Sequence, residues 1–547
     1  MLRFSCLVGA TCVAALVGCG SDSSSPGGLQ EGLSSVDSDS NGSGNGMWMG
    51  EPVAEGCGPD GGTPDAGADG GVLQGVVMVK DTTRFYTSVG VAERQEDLSA
   101  NPPEVLVFNG ATFTRFLGSA AEGGWRFTNV PSGPFYLRTG STYFVTSSRH
   151  VEIGRNRLGR PEAEYVDTFS VPLQLNLLNM APWQPWTSSS APGTDLQLTS
   201  GQVDLYATPY LFETPPDGAT SVVTADAELS SNLGHLPVFE ADRGDRLYIN
   251  QLSGFSAGTL PNGQPLGYAA VERSVHAGAF DYRPDSASAI PVTGWLQPVS
   301  MREFPLEWRL PQFAGFASVV HPNALPGVPR LDVVPGAHGL EGGWIGYTGE
   351  LLTLSLPRGS AYDFTTRMKF GNPYPSNWGL VGVVSYTFRN QEALPDGSGR
   401  VGNLTAGYTS WDEFDHLIAG PVTPKVSPPR SFTIDGVPAS VQRNVGTASP
   451  VFAWAPPTLG TPTAYRVSIL RLDLDLGFSS TWRTLYVPGS ATQVRLPPDL
   501  LEPGTTYHAT VTAIDSPLLD IQASPFRTLE QLPYRAAGTV SSYFTTP

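Results

Sequence analysis

From residue 73 to its end, the chain is a succession of short apolar and aromatic runs with a period of two, broken by Gly, Pro, Asn and Asp. That period places successive side chains on opposite faces and predicts strands. PVFAWAPP puts Phe452 and Trp454 on one face, and AYRVSIL turns Tyr465, Val467 and Ile469 inward. TYHATVTAID turns Tyr507, Ala509, Val511 and Ala513 inward, with Thr506, His508 and Thr510 outward. Further strands are expected at VLQGVVMV (72–79), EVLVF (104–108), within GGWRFTNVPSGPFYLRT (123–139), and at ELLTLSLP, FTTRMKF, GVVSYTF and SYFTT (542–546). LPVFEADRGDRLYINQL (236–252) reads as a hairpin around a Gly-Asp turn. The 62 glycines and 49 prolines leave almost no uninterrupted helical window. One helical turn is expected at SWDEFDHLIAG, where Ser410 and Glu413 have capping-box spacing and Phe414, Leu417 and Ile418 share a face. The fold class expected is all-β, with tandem β-sandwiches.

Before residue 73 the pattern differs. Arg3 precedes an apolar segment, residues 4–18, which is shorter than the ~20 residues of a membrane-spanning helix. A charged start, an apolar middle and small residues at the end suit a secretory signal. Residues 20–72 are rich in Gly, Ser, Asp, Pro and Ala. They hold nine acids (Asp22, Glu31, Asp37, Asp39, Glu51, Glu55, Asp60, Asp65, Asp69) and no Lys or Arg, half of the net charge of -18. Such a composition cannot bury enough apolar surface to offset ordering entropy, so a disordered tether is expected. It would span on the order of 40 Å root-mean-square. DSDSNG (37–42) begins like a calcium loop, but Trp48 stands where the closing acid belongs.

Leu16-Val17-Gly18-Cys19 resembles the lipobox of bacterial lipoproteins. The resemblance implies cleavage before Cys19, lipid on its thiol and amine, and a Gram-negative outer-membrane address, since Gly20 and not an aspartate follows. Several acyl chains make a firm anchor where one is marginal. Of the four cysteines, Cys6 and Cys12 would leave with the signal, Cys19 would carry lipid, and only Cys57 would remain. No intrachain disulfide is then possible, so stability must come from burial.

The set Trp454, Tyr465, Leu501-Glu502-Pro503-Gly504 and Tyr507 resembles a fibronectin type III domain over roughly residues 428–547. The resemblance implies an immunoglobulin-like sandwich in which Tyr507 forms a tyrosine corner. Trp125, Phe127, Asn129, Val130, Pro131 and Gly133 resemble the carboxypeptidase-regulatory-like, transthyretin-type sandwich of bacterial surface proteins. The expected organisation is therefore a signal (1–18), a tether (19–72), a first sandwich (73–164), a large sandwich or two packed ones (165–425), and a fibronectin type III-like domain (426–547).

Candidate chemistry changes this picture little. Gly254-Phe255-Ser256-Ala257-Gly258 matches a nucleophile elbow in letters, but TLPNGQP after it cannot start the helix that an elbow needs, so no catalytic residue is assigned. Arg243-Gly244-Asp245 reads as turn chemistry. His338 with Glu341, and Asp412, Asp415 and His416, are the local His–acid groups, and no zinc spacing occurs, so no metal or other cofactor is expected. Trp183, Trp186 and Trp378 lie beside prolines in loops, where they either stack on a ligand or pin the loop down. With 32 basic against 50 acidic residues, nucleic acid is a poor partner. The expected work is surface adhesion, scaffolding, or binding of a protein or glycan by a lipid-anchored, non-enzymatic protein. An extracellular polysaccharide hydrolase with an accessory module is the alternative.

Overall fold

The computed structural model describes residues 75–230, 235–285, 287–340, 343–529 and 531–547. Cys19, Cys57, the tether and Glu341 lie outside the described residues. The body is nearly all β, as the period-two pattern dictates: strands dominate, and the helical segments are single turns such as Leu310–Ala314, Ala317–Val320 and Phe414–Leu417.

One hydrogen-bonded ladder runs through all three folded regions. It begins with Phe113–Leu117, Glu104–Phe108, Phe135–Thr139 and Thr142–Thr146. The strand Thr142–Thr146 then pairs in parallel with Phe478–Pro488, with Tyr143 opposite Leu485. From there the ladder passes through Ala464–Asp473, Thr506–Asp515 and Tyr534–Val540 to Val401–Glu413. It continues by Gly379–Ala393, Leu325–Ala337, Leu352–Ser355, Pro265–Ala277 and Leu247–Thr259 to Asp195–Ser200. The first region thus docks on the last one, some 340 residues away in sequence. Phe144 stacks on Tyr486 at 5.3 Å. Gln522 donates to Val145 O at 3.3 Å and accepts from Ser147 N–H at 3.0 Å. Asn156 donates to Arg527 O at 3.0 Å.

A separate sheet, ordered Pro209–Leu211, Val222–Ser230, Ser170–Leu178 and Ile290–Trp295, packs over the end of this ladder. Leu173, Leu175 and Leu177 from its central strand meet Leu196, Leu198 and Ile249 in a core of their own. Each leucine so buried contributes roughly 2 kcal/mol.

The C-terminal sandwich fills as its period predicts. Phe452, Tyr465, Val467, Ile469, Tyr507, Ala509, Val511 and Ala513 are fully buried, and Trp454 is 4% exposed. The Tyr507 hydroxyl accepts from Glu502 N–H at 3.0 Å, which fixes the loop before its strand. In the first region, the Asn-Val-Pro-x-Gly stretch turns as its residues allow, with Asn129 at φ 59 and Gly133 at φ 101.

Three sequence expectations are corrected. Thr506 and His508 are not outward-facing: both are buried. Their sheet is covered on its second face, where Thr539 donates to Val320 O at 2.7 Å and His321 meets Ser542 at 3.3 Å. Ser410 and Glu413 do not form a capping box, because both belong to the strand Val401–Glu413; the helix is only Phe414–Leu417 and has no side-chain cap. Cross-strand pairing to Gly379–Ala393 through Glu413 holds that segment extended. Residues 236–252 are not a hairpin either. His235–Pro237 pairs with Tyr165–Asp167, and Leu247–Thr259 pairs with Asp195–Ser200 and Pro265–Ala277.

Candidate functional site

The sheet containing Ser170–Leu178 has one face in the core and the other in water. Alternation sorts its residues: Leu173, Leu175 and Leu177 go inward, while Gln174 and Asn176 go outward and are exposed. On the neighbouring parallel strand, Ile290 and Val292 go inward while Pro291, Thr293 and Trp295 go outward. Register sets the outer rows. Val223, Asn176 and Thr293 lie side by side, Gln174 lies beside Pro291, and Leu178 beside Trp295. At the opposite corner Tyr210 lies beside Glu228, which lies beside Pro172.

The exposed apolar side chains on this sheet are large. Trp295 is 58% exposed, Tyr210 61%, and Phe212 54%. Tyr210 and Phe212 meet edge-on at 5.1 Å, so the pair presents an aromatic corner. Six residues separate the Pro172 row from the Leu178 row, about 20 Å at ~3.3 Å per residue. Three strand spacings separate the outer strands, about 14 Å. The two aromatic corners are thus about 25 Å apart, with the amide and hydroxyl side chains of Gln174, Asn176 and Thr293 between them and the Glu228 carboxylate beside Tyr210. Such a surface can lay aromatic rings against the C–H face of a flat ligand and hydrogen-bond hydroxyls from Gln174, Asn176 and Thr293.

Beneath the far end of the ladder lies a second constellation, closed to water. Glu350 is 4% exposed. Its carboxylate accepts from Tyr347 OH at 2.7 Å, Gln197 Nε2 at 2.8 Å and Tyr206 OH at 2.9 Å. Burial first, and the nearby Asp332 second, push its pKa up to about 7. Asp332 itself is held by Arg330 at 2.9 Å and Thr353 at 2.7 Å. Next to this cluster Tyr374 OH joins Asn250 Nδ2 at 2.8 Å and Thr199 Oγ1 at 3.0 Å, and donates to Thr348 O at 3.2 Å. Alternation puts Gln197, Thr199 and Asn250 on one polar face of the ladder, and the segment 347–350 closes over it.

The candidate residues from the sequence are scattered. Trp183 and Trp378 are each 6% exposed and do not face a ligand; they pin their loops. Trp378 stacks on Tyr374 at 4.6 Å and meets His338 at 5.6 Å. Trp186 is 39% exposed. Ser256 sits in the strand Leu247–Thr259, which continues by a turn into Pro265–Ala277, without the helix of a nucleophile elbow. In the Arg243-Gly244-Asp245 tripeptide, Asp245 is fully buried; Arg160 donates to both its oxygens at 2.8 and 3.1 Å. His416 Nδ1 lies 3.8 Å from Asp412, while Asp415 pairs with Arg302.

Sequence reasoning missed Trp295, Tyr210 and Phe212. The available signal was a tryptophan on the polar phase of an alternating strand, IPVTGW.

No family model and no curated protein matches the chain. Among solved structures, the crystal structure of the chicken CNTN1 FN1-FN3 domains is 11% identical and covers 70% of this chain and 99% of that one, with a TM-score of 0.13. So low a score supports no shared arrangement, and the all-β class rests on the strands and ladders of this chain.

Proposed function

We propose that this protein is a lipid-anchored bacterial cell-surface protein that binds an extended glycan on the outer face of the sheet carrying Ser170–Leu178. The observation that carries the reading is the exposure of Trp295 and Tyr210 at opposite corners of rows made of Gln174, Asn176 and Thr293. An aromatic side chain left in water forgoes roughly 2 kcal/mol of burial, so several on one outer face suit a surface that is covered by a ligand. The amides and hydroxyl between them, with the Glu228 carboxylate as a further acceptor, suit the hydroxyls of a sugar chain. Support for the address comes from the lipobox-like Leu16-Val17-Gly18-Cys19 and the acidic segment after it. The unbroken ladder supports a scaffold that holds this face in a fixed orientation.

Detergent-solubilised full-length protein on a glycan array tests the binding part. The expected result is binding to extended chains that falls at least tenfold in Trp295→Ala and in Tyr210→Ala. Binding unchanged in both variants, or none to any glycan, overturns it. Palmitate labelling tests the anchor: wild type incorporates label and Cys19→Ala does not. Equal labelling of the two, or no labelling of wild type, refutes lipidation.

A further inference from the structure

A cavity of about 230 Å³ opens where the strand Val401–Glu413 pairs with Tyr534–Val540, at the seam between the middle and C-terminal regions. Tyr408, Ser410 and Asp412 point to it from alternate positions of one strand; Arg535, the cross-strand partner of Ser410, joins them; His416 and Lys425 stand at the mouth. Asp412 and Arg535 approach to 3.4 Å, and the Arg535 Nε–H is buried without a hydrogen-bond partner among the described residues. Together they present an acceptor and donors side by side. The Tyr408 hydroxyl accepts from Lys425 N–H at 3.2 Å, which fixes the lysine backbone at the rim. Lys425 Nζ touches only Thr423 Oγ1, at 3.1 Å, and no described carboxylate pairs with it. Asp515, opposite Arg535 on the next strand, is not part of the lining. Within the cavity the Asp412–Arg535 pair is neutral, so Lys425 supplies an uncompensated positive charge in a chain of net charge -18.

We infer that this cavity binds a small polyhydroxylated carboxylate, a sugar acid, with its carboxylate on Lys425 and its hydroxyls on Asp412 and Arg535. The volume suits one hexose-sized ring, and seams between modules are favoured places for such sites. A carboxylate against an ammonium group gives charge-assisted hydrogen bonds, stronger than those of a neutral sugar. The site is independent of the glycan-binding face, from which it is separated by the ladder strands from Gly379–Ala393 to Asp195–Ser200.

Calorimetric titration of the full-length protein with glucuronate, galacturonate, glucose and a short oligogalacturonide is the test. The expected result is binding of at least one uronate, at least tenfold tighter than glucose, and weakened at least tenfold in Lys425→Met and in Asp412→Asn. Lys425 is exposed, so its variant keeps the fold, which circular dichroism checks. Binding by the oligogalacturonide alone assigns the site to a chain end and by the monosaccharide to free sugar acids. No binding by any uronate, equal binding of glucose, or full affinity in Lys425→Met overturns the inference. Trp295→Ala leaves uronate binding unchanged, which separates this site from the outer face.

Discussion

Around Phe452 the C-terminal sandwich is closed by apolar and aromatic side chains drawn from strands of one region, whereas around Glu350 the middle region is closed by a carboxylate, phenols and amides drawn from segments about 150 residues apart. Both interiors exclude water, and they are built on opposite terms. The first gains by removing apolar area from water. The second is tolerable because most of its polar atoms find partners; Gln197 Oε1 and Thr348 Oγ1 are buried without one among the described residues, and an unpaired buried donor or acceptor costs ~1–3 kcal/mol. The C-terminal sandwich also holds His508, 3% exposed, neutral, with its pKa pushed down to about 4 by burial. Glu350 and His508 therefore respond to pH with opposite signs.

Truncation is expected to separate the two interiors most strongly. Phe452→Ala leaves a cavity in a packed core and lowers stability by about 3–5 kcal/mol, read from the urea midpoint. A loss below ~1 kcal/mol would mean that this core is loosely filled. The second effect is the pH response. Glu350 has a folded pKa of about 7 against an ordinary 4.5, so its burial destabilises the fold progressively as pH rises from 4.5 to 7, by about 3 kcal/mol in full. Glu350→Gln removes that slope: relative to wild type it gains about 2 kcal/mol between pH 5 and pH 7.5. His508 works the other way. Its contribution is present above pH 6.5 and declines as pH falls toward 4, so His508→Gln flattens the acid limb of the stability profile. Parallel profiles for wild type and Glu350→Gln would contradict the buried carboxylate. Next, Tyr374→Phe strands Asn250 and Thr199 and costs about 1–3 kcal/mol, while the apolar-for-apolar Ile469→Val costs about 0.5–1.5 kcal/mol. Smallest is Gln522→Ala at the docking of the first region, about 1 kcal/mol, seen as faster amide exchange at Val145 and Ser147.

The same contrast explains what was legible in the sequence. Phe452, Trp454, Tyr465 and Val511 announce themselves by local period two, and Asn129 and Gly133 by turn chemistry. Thr506 and His508 show the limit: alternation tells which face a residue is on, but not that the second face is covered by another region. Ser410 and Glu413 carried a local helix signal that long-range strand pairing overrode. Glu350 sits inside ELLTLSLP, where nothing local marks it as the partner of Gln197 and Tyr206. Arg535 joins Asp412 only through the pairing of strands that begin more than 130 residues apart. The outer face was half legible: its strands follow from alternation, and Trp295 on the polar phase is the irregularity that points to it.

A chain-length series of neutral oligosaccharides, titrated into the full-length protein, tests the central claim most directly. The rows between Tyr210 and Trp295 span about 25 Å, so affinity is expected to climb with each added sugar until about five units fill the rows, then level off, and to lose that climb in Trp295→Ala. Affinity already complete with one sugar, or a climb untouched by Trp295→Ala, would contradict an extended glycan lying across this face.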